Sequence, residues 1–78
     1  MRPMLTALQS RVGRAVVDWS LDRLAAASNL SQSTIRDFER GRRMPTANNL
    51  AAIRRALEAA GVEFVPDGAR LRGRPAEA

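Results

Sequence analysis

A polar break between two short helical patterns constrains this chain more than any other feature. The run LAAASNLSQSTIRDFERGRR, residues 24–43, starts as a helix, breaks at Asn29 and resumes after Ser31. Asparagine tolerates the left-handed backbone conformation better than most residues, and serine is a favoured N-cap. The run therefore predicts two helices joined by a tight turn, with Gly41 ending the second helix among several arginines.

Helical spacing and cap residues extend this pattern over most of the chain. Ser20 and Thr46 are expected N-caps, and a first helix is expected over residues 6–18. Its predicted buried stripe is Leu5, Leu8, Val12, Ala15, Val16 and Trp19. After Gly61 the period changes to two, which predicts strands over residues 62–65 and 69–72. We expect a mainly α domain of four to five helices (1–61), a C-terminal strand or hairpin (62–72) and a flexible tail (73–78).

Composition excludes several classes of function. The 78 residues contain no cysteine, histidine or tyrosine, so thiolate metal sites and the usual general base are absent. We therefore expect neither an enzyme nor a metal or other cofactor. No apolar run approaches a membrane span and no signal-peptide core is present, so a cytoplasmic protein without a membrane partner is expected. The 13 basic residues, all arginines, outnumber 8 acidic ones, and guanidinium forks suit phosphate oxygens and guanine edges.

Small, turn and apolar residues fall at the intervals of a DNA-binding helix-turn-helix. Ala25 is small where two crossing helices approach most closely, and Asn29 occupies the turn. Leu30 fills the corner, while Ile35 and Phe38 anchor the second helix to the core. An ordinary helical corner in another bundle has similar spacing, and spacing alone leaves this alternative open.

The run WSLDRLAAASNLSQSTIRDFERGRRMPTANNLAAIRRALEAAGVEFV resembles the phage-repressor-like (XRE, Cro-like) helix-turn-helix family of bacterial and phage regulators. The resemblance covers approximately residues 8–60. It implies a lambda-repressor-like fold, double-stranded DNA as the partner, and a recognition helix that begins at Ser31. It also implies that Arg14 bridges to Glu39, which would tie the first helix to the back of the recognition helix.

Base contacts are expected from the recognition helix. Gln32 can pair with adenine through two hydrogen bonds, and Ser33 is short enough to reach base edges. Arg36 is expected to read guanine or hold a phosphate. Asp37 and Leu21 depart from the family pattern, because relatives place a basic or amide residue and a polar residue there. Asp37 is expected either to accept from a cytosine amine or to orient a neighbouring arginine.

Phosphate contacts are expected to supply most of the affinity for DNA. The expected donors are Thr34, Arg40, Arg42, Arg43, Asn48 and Asn49. For the three arginines, the alternative is a solvated basic loop without function.

The tail VEFVPDGARLR needs a surface, because an isolated two-stranded hairpin is marginally stable. It packs back on the fourth helix or pairs with the same segment of a second copy. Expected exposure of Val62, Phe64 and Leu71 favours the second arrangement, and with it a homodimer.

These expectations combine into one function and one alternative. The first is a sequence-specific transcriptional regulator, a nucleoid-associated homodimer on an inverted-repeat operator. It would act by promoter occupancy as a repressor or by touching RNA polymerase, and would regulate its own promoter. The alternative is a protein-binding antitoxin or antiactivator of the same fold that binds another regulator, and Asp37 and Leu21 favour it.

Overall fold

The computed structural model describes residues 4–72, which form four helices followed by a two-stranded antiparallel sheet. The elements are α1 (Ala7–Val16), α2 (Leu21–Ser28), α3 (Gln32–Glu39), α4 (Ala47–Ala59), β1 (Val62–Val65) and β2 (Gly68–Leu71). The expected mainly α fold with a C-terminal hairpin is confirmed. The expected flexible tail, residues 73–78, lies outside the described residues. No helix within residues 4–72 has the length and apolarity needed to cross a bilayer.

The predicted turns and caps around α2, α3 and α4 are confirmed. Asn29 ends α2 in the left-handed conformation, with φ 61°. The side chains of Ser20, Ser31 and Thr46 each accept a hydrogen bond from a backbone N–H three residues on. Gly41, with φ 77°, follows α3 in the left-handed region as predicted. These local signals therefore fix where α2 and α3 end and begin.

The hairpin pairs within the chain. Val62 lies opposite Leu71 and Val65 opposite Gly68, so the turn between the strands has only two residues. For this reason β2 begins one residue earlier than the predicted 69–72. The sheet packs on α1 and α4, which supply the surface that an isolated hairpin lacks.

The core is formed mainly by α2, α3, α4 and β1. Its largest fully buried apolar side chains are Leu24, Ile35, Phe38, Ile53, Leu57 and Val62. On α4 the spacing predicts a stripe of Leu50, Ile53, Leu57 and Ala60; the first three are buried together with Ala56, whereas Ala60 is only half-buried. This helix follows the rule that an apolar stripe faces the core.

The prediction for α1 is wrong in its end and in most of its inner face, although Leu5 of the predicted stripe is buried in the core and Trp19 packs against it. Asp18 has φ 58° and cannot continue a helix, so α1 ends at Val16. The buried residues of α1 are Gln9, Ser10 and Gly13, whereas Leu8 of the predicted stripe is 45% exposed.

Close packing explains why a glycine faces inward on α1. A Cβ atom built on Gly13 would lie 3.2 Å from Leu57 Cδ1 and 3.5 Å from side-chain atoms of Phe64 and Val62. The helix approaches α4 and β1 too closely for larger apolar side chains at this position. Gln9 is also tied to the sheet, because its Nε2 donates to the carbonyl oxygen of Val65 at 2.6 Å.

Candidate nucleic-acid interface

The tight turn before α3 exposes the leading end of that helix. Its inner face is buried through Ile35, Phe38 and Glu39, whereas Gln32 and Ser33 in its first turn are exposed. The side chain of Gln32 makes no hydrogen bond within residues 4–72, which leaves its amide available to an outside partner.

The hydroxyl groups of Ser31, Ser33 and Thr34 lie close together in the first turn of α3. Ser31 Oγ accepts from the Thr34 N–H at 3.1 Å and lies 2.8 Å from Thr34 Oγ1 and 3.3 Å from Ser33 Oγ. The Ser33 and Thr34 hydroxyls are therefore held near the cap, whereas the Gln32 side chain is not.

A buried ionic network holds the back of α3 against α1. The side chain of Glu39 is 5% exposed, and Arg14 Nη2 donates to its Oε1 at 2.7 Å. Arg14 Nε donates to Oε2 at 3.0 Å, and Ser10 Oγ donates to the same oxygen at 2.6 Å. The remaining Arg14 nitrogen, Nη1, donates to the Trp19 carbonyl at 3.0 Å. The bridge between Arg14 and Glu39 that the family resemblance implies is therefore present.

Two members of this arrangement, Ser10 and Arg11, were missed by the sequence analysis. Besides the Ser10 bond, Arg11 Nη1 donates to the backbone carbonyl of Glu39 at 3.2 Å, at the last residue of α3. Ser10 lies four residues before Arg14 and therefore on the same face of α1. That spacing, together with the buried pair, is the signal that could have found it.

The remaining charged residues of α3 and of the segment that follows it lie at different positions around the helix. Asp37 lies one turn after Ser33 on the outward side, half-buried, and its carboxylate has no ion pair within residues 4–72. Arg36 is half-exposed and Arg40 is exposed, and both border a hollow described below. Arg42 is exposed in the loop that follows.

On one flank of α3, Arg43 reaches back to the helix. Its Nη1 donates to Thr34 Oγ1 at 3.3 Å, and its side chain is otherwise exposed. Asn48 is exposed in the first turn of α4, and Asn49 beside it is half-buried. The amide side chains at this helix start and the N–H groups of its first turn can serve as donors to an anion.

On the opposite flank, α1, α2 and α3 enclose a hollow of about 250 Å³. It is lined by Arg11, Arg14, Leu21, Arg36, Glu39 and Arg40. We call it the arginine hollow.

Cations around α3 lack acidic partners. Three ion pairs occur within residues 4–72, and they join arginines to Glu39, Glu58 and Glu63. Arg36, Arg40, Arg42 and Arg43 take part in none of the three. The surface around α3 is therefore rich in positive charge. The same part of the chain contains no group of acidic side chains that could hold a metal ion.

The residues expected at a dimer interface differ in exposure. Val62 is fully buried in the core, so the expectation that it is exposed is wrong, because β1 packs against α1 and α4. Phe64 is half-buried, and the Arg54 guanidinium lies 4.9 Å from its ring centroid. Leu71 is 59% exposed and remains accessible.

Comparison with protein families identifies the chain. No curated protein matches it. A family model described as helix-turn-helix matches residues 17–64, which is more than half of the chain and includes all of α2, α3 and α4. With this match and the α2–turn–α3 geometry, the chain belongs to the helix-turn-helix family of XRE and lambda-repressor-like DNA-binding regulators.

Proposed function

We propose that this protein is a sequence-specific transcriptional regulator that reads DNA with the leading end of α3. The observation that carries the proposal is the exposure of Gln32 and Ser33 in the first turn of α3. The same helix is fixed from behind by the Glu39 network and surrounded by unpaired arginines. A rigid helix with a free polar end and cationic flanks suits the major groove.

Base reading is assigned to the outward side of α3. Gln32 has a free amide that can pair with adenine, and Ser33 lies beside it. Asp37 follows on the same side, where a carboxylate can accept from a cytosine amine. Arg42, Arg43, Asn48 and Asn49 are assigned to the backbone, with Thr34 holding Arg43 in place.

A binding assay with two variants separates these roles. Gln32→Ala is expected to relax the preference at one base position and cost about 1–3 kcal/mol on the preferred site. Arg43→Ala is expected to weaken binding to every duplex and to reduce the salt slope by about one. Arg55→Ala is the matched control, because Arg55 is exposed on α4 and has no ion pair within residues 4–72.

We further propose that two copies bind an inverted repeat. One domain covers half a site, and a two-fold dimer places two recognition helices about 34 Å apart. Since Val62 is buried, we assign the dimer surface to Leu71 on β2 and Leu8 on α1, two elements that pack together. Light scattering of Leu71→Glu should show loss of a dimer present in the unmodified protein. A monomer in both cases contradicts this assignment.

We also propose that the protein acts at a promoter. When it is bound near its own reading frame, the protein would repress transcription or contact RNA polymerase. Footprinting on that upstream DNA reports the site, its symmetry and its half-site spacing together.

One observation favours a second function. Asp37 presents an unpaired carboxylate on the outward side of α3. This negative charge would repel DNA phosphates but would attract a basic protein surface. A protein-binding antitoxin or antiactivator is therefore the second candidate. Absence of binding to any duplex, even at low salt, would reject the regulator and leave this candidate.

A further inference from the structure

Another hollow, of about 380 Å³, lies between the segment that precedes α1 and the loop that follows α3. It shares no lining residue with the arginine hollow. We call it the methionine hollow, and the side chains that decide its chemistry are Met4, Leu5, Phe38, Arg42, Arg43 and Met44. Small-molecule sites have volumes of about 300–1,000 Å³, so this hollow suits a ligand at the small end of that range.

The apolar part of the methionine hollow has a buried floor and exposed sides. Leu5 and Phe38 belong to the core and are 3% and 2% exposed. Met4 and Met44 also line the hollow but are 57% and 68% exposed, which is unusual for large apolar side chains. A thioether adapts to irregular shapes and makes favourable contacts with aromatic rings. Two methionines over an apolar floor therefore suit an aromatic ring.

The same hollow has cations without acidic partners. The side chain of Arg42 is exposed and makes no hydrogen bond or ion pair within residues 4–72, and Arg43 uses only Nη1, for Thr34. The acidic residues of α3, Asp37 and Glu39, are not in the lining. A guanidinium group binds a carboxylate through two parallel hydrogen bonds. A neutral hydrocarbon would leave this charge unused and a purely polar anion would leave the apolar surface unused, so the lining favours a ligand with both parts.

Backbone hydrogen bonds hold the cationic loop on the end of α3. The Gly41 N–H donates to the Phe38 carbonyl at 3.0 Å, and the Arg42 N–H donates to the Asp37 carbonyl at 2.8 Å. The backbone that carries Arg42 is therefore fixed beside the apolar floor. A site that is already formed avoids the cost of ordering a loop on binding.

From these features we propose that the methionine hollow binds a small aromatic carboxylate, with its ring between Met4 and Met44 and its carboxylate on Arg42. The consequence for DNA rests on the proposed function, in which Arg42 holds a backbone phosphate. One guanidinium fork cannot hold a phosphate and the carboxylate in the same geometry, so ligand and DNA compete. The ligand is then an inducer that weakens binding to the operator.

Calorimetry on the unmodified protein without DNA tests the ligand class with three probes. Naphthoate has the ring and the charge, naphthamide has the ring alone, and octanoate has the charge on a flexible chain. Naphthoate is expected to bind, and naphthamide to bind about tenfold more weakly because it loses the charge-assisted hydrogen bonds. Octanoate should bind about threefold more weakly, because it lacks the sulfur–ring contacts. Failure of naphthoate to bind, or a probe that equals it, overturns the assignment.

Variants locate the site. Arg42→Gln should weaken naphthoate about tenfold, and Met44→Ser about threefold, whereas Arg55→Gln should have no effect because Arg55 lies outside the lining. All three positions are exposed, so the variants are expected to fold.

NMR spectra of the methionine methyl groups give a direct readout. Naphthoate should shift the signals of Met4 and Met44, and a response confined to other residues overturns the inference. Light scattering covers a different occupant of the hollow. If Met44→Ser lowers the mass of the unmodified protein, the hollow is a contact between copies and the ligand assignment is wrong.

The competition with DNA is measured on a random-sequence duplex at matched ionic strength. Saturating naphthoate should reduce the salt slope by about 0.9, which extrapolated from 1 M salt is about an eightfold loss of affinity at 0.1 M. The duplex affinity of Arg42→Gln should not respond to naphthoate. Naphthoate that binds but leaves the duplex affinity unchanged overturns the competition. A protein that binds no duplex at low salt contradicts the proposed function instead, and calorimetry without DNA still decides the ligand site.

Discussion

Helices α1 and α4 both pack on the same core but bury opposite kinds of side chain. On α4 the buried residues are apolar, among them Ile53 and Leu57. On α1 they are Gln9, Ser10 and Gly13, and Leu8 is nearly half exposed. Apolar burial is non-directional, whereas a hydrogen bond fixes distance and angle. This difference indicates that α4 chiefly stabilises the domain, whereas α1 chiefly positions α3 and the hairpin.

The largest effect is expected where α1 holds α3. Glu39→Ala leaves Arg14 and Ser10 without their buried partner, which should lower the free energy of unfolding by about 3–5 kcal/mol. Urea denaturation measures the loss. The control is Glu63→Ala, whose ion pair with Arg70 is exposed and should contribute about 0–1 kcal/mol. Equal losses from the two variants would remove the distinction between the buried network and a surface pair.

Ser10→Ala tests the same network with a smaller change. The alanine fits the site, but Glu39 loses a 2.6 Å hydrogen bond. Hydrogen bonds to charged groups contribute about 1.5–3 kcal/mol, and a loss in that range is expected in thermal unfolding. If Ser10→Ala is neutral, the inner face of α1 is polar for a reason other than positioning α3.

Gly13→Val tests the close approach of α1 to α4. A branched side chain there meets Leu57 and Val62, and overpacking should cost about 1–3 kcal/mol of stability. Ala15→Val on the exposed side of α1 is the matched control, with an expected cost of about 0.5 kcal/mol from helix propensity. Similar values for both variants would show that the helices can move apart freely.

The smallest effect is expected at the outward side of α1. Leu8→Gln should change the free energy of unfolding by less than about 0.5 kcal/mol, because Leu8 is outside the core. The same variant should weaken the proposed dimer in light scattering. A large loss of stability in a monomer would show instead that Leu8 contributes to folding.

Sequence reasoning succeeded where the determinants are local. Asn29, Ser31 and Gly41 specify turns and caps through their own backbone and side-chain preferences, and each was placed correctly. The pair formed by Arg14 and Glu39 came from the family resemblance, since nothing near either residue reveals the other. The expected DNA contacts remain predictions.

Sequence reasoning failed where the residues that bond to each other are distant in the chain. Periodicity counts apolar residues, but Gln9 and Ser10 are buried because they bond to residues 56 and 29 positions away. The alternation in β1 likewise predicted a strand without showing which face packs inward, so Val62 was wrongly expected to be exposed. A hydrophobic pattern does not encode a specific polar partner.

The bond from Gln9 to Val65 has a consequence for synthesis on the ribosome. The first helix and the last two strands pack on each other, so α1 has no complete docking surface until β2 has left the exit tunnel. Helix α3 and the turn before it emerge earlier, before the sheet that packs on α1 is complete. The complete packing of α1 therefore forms only after β2 has emerged.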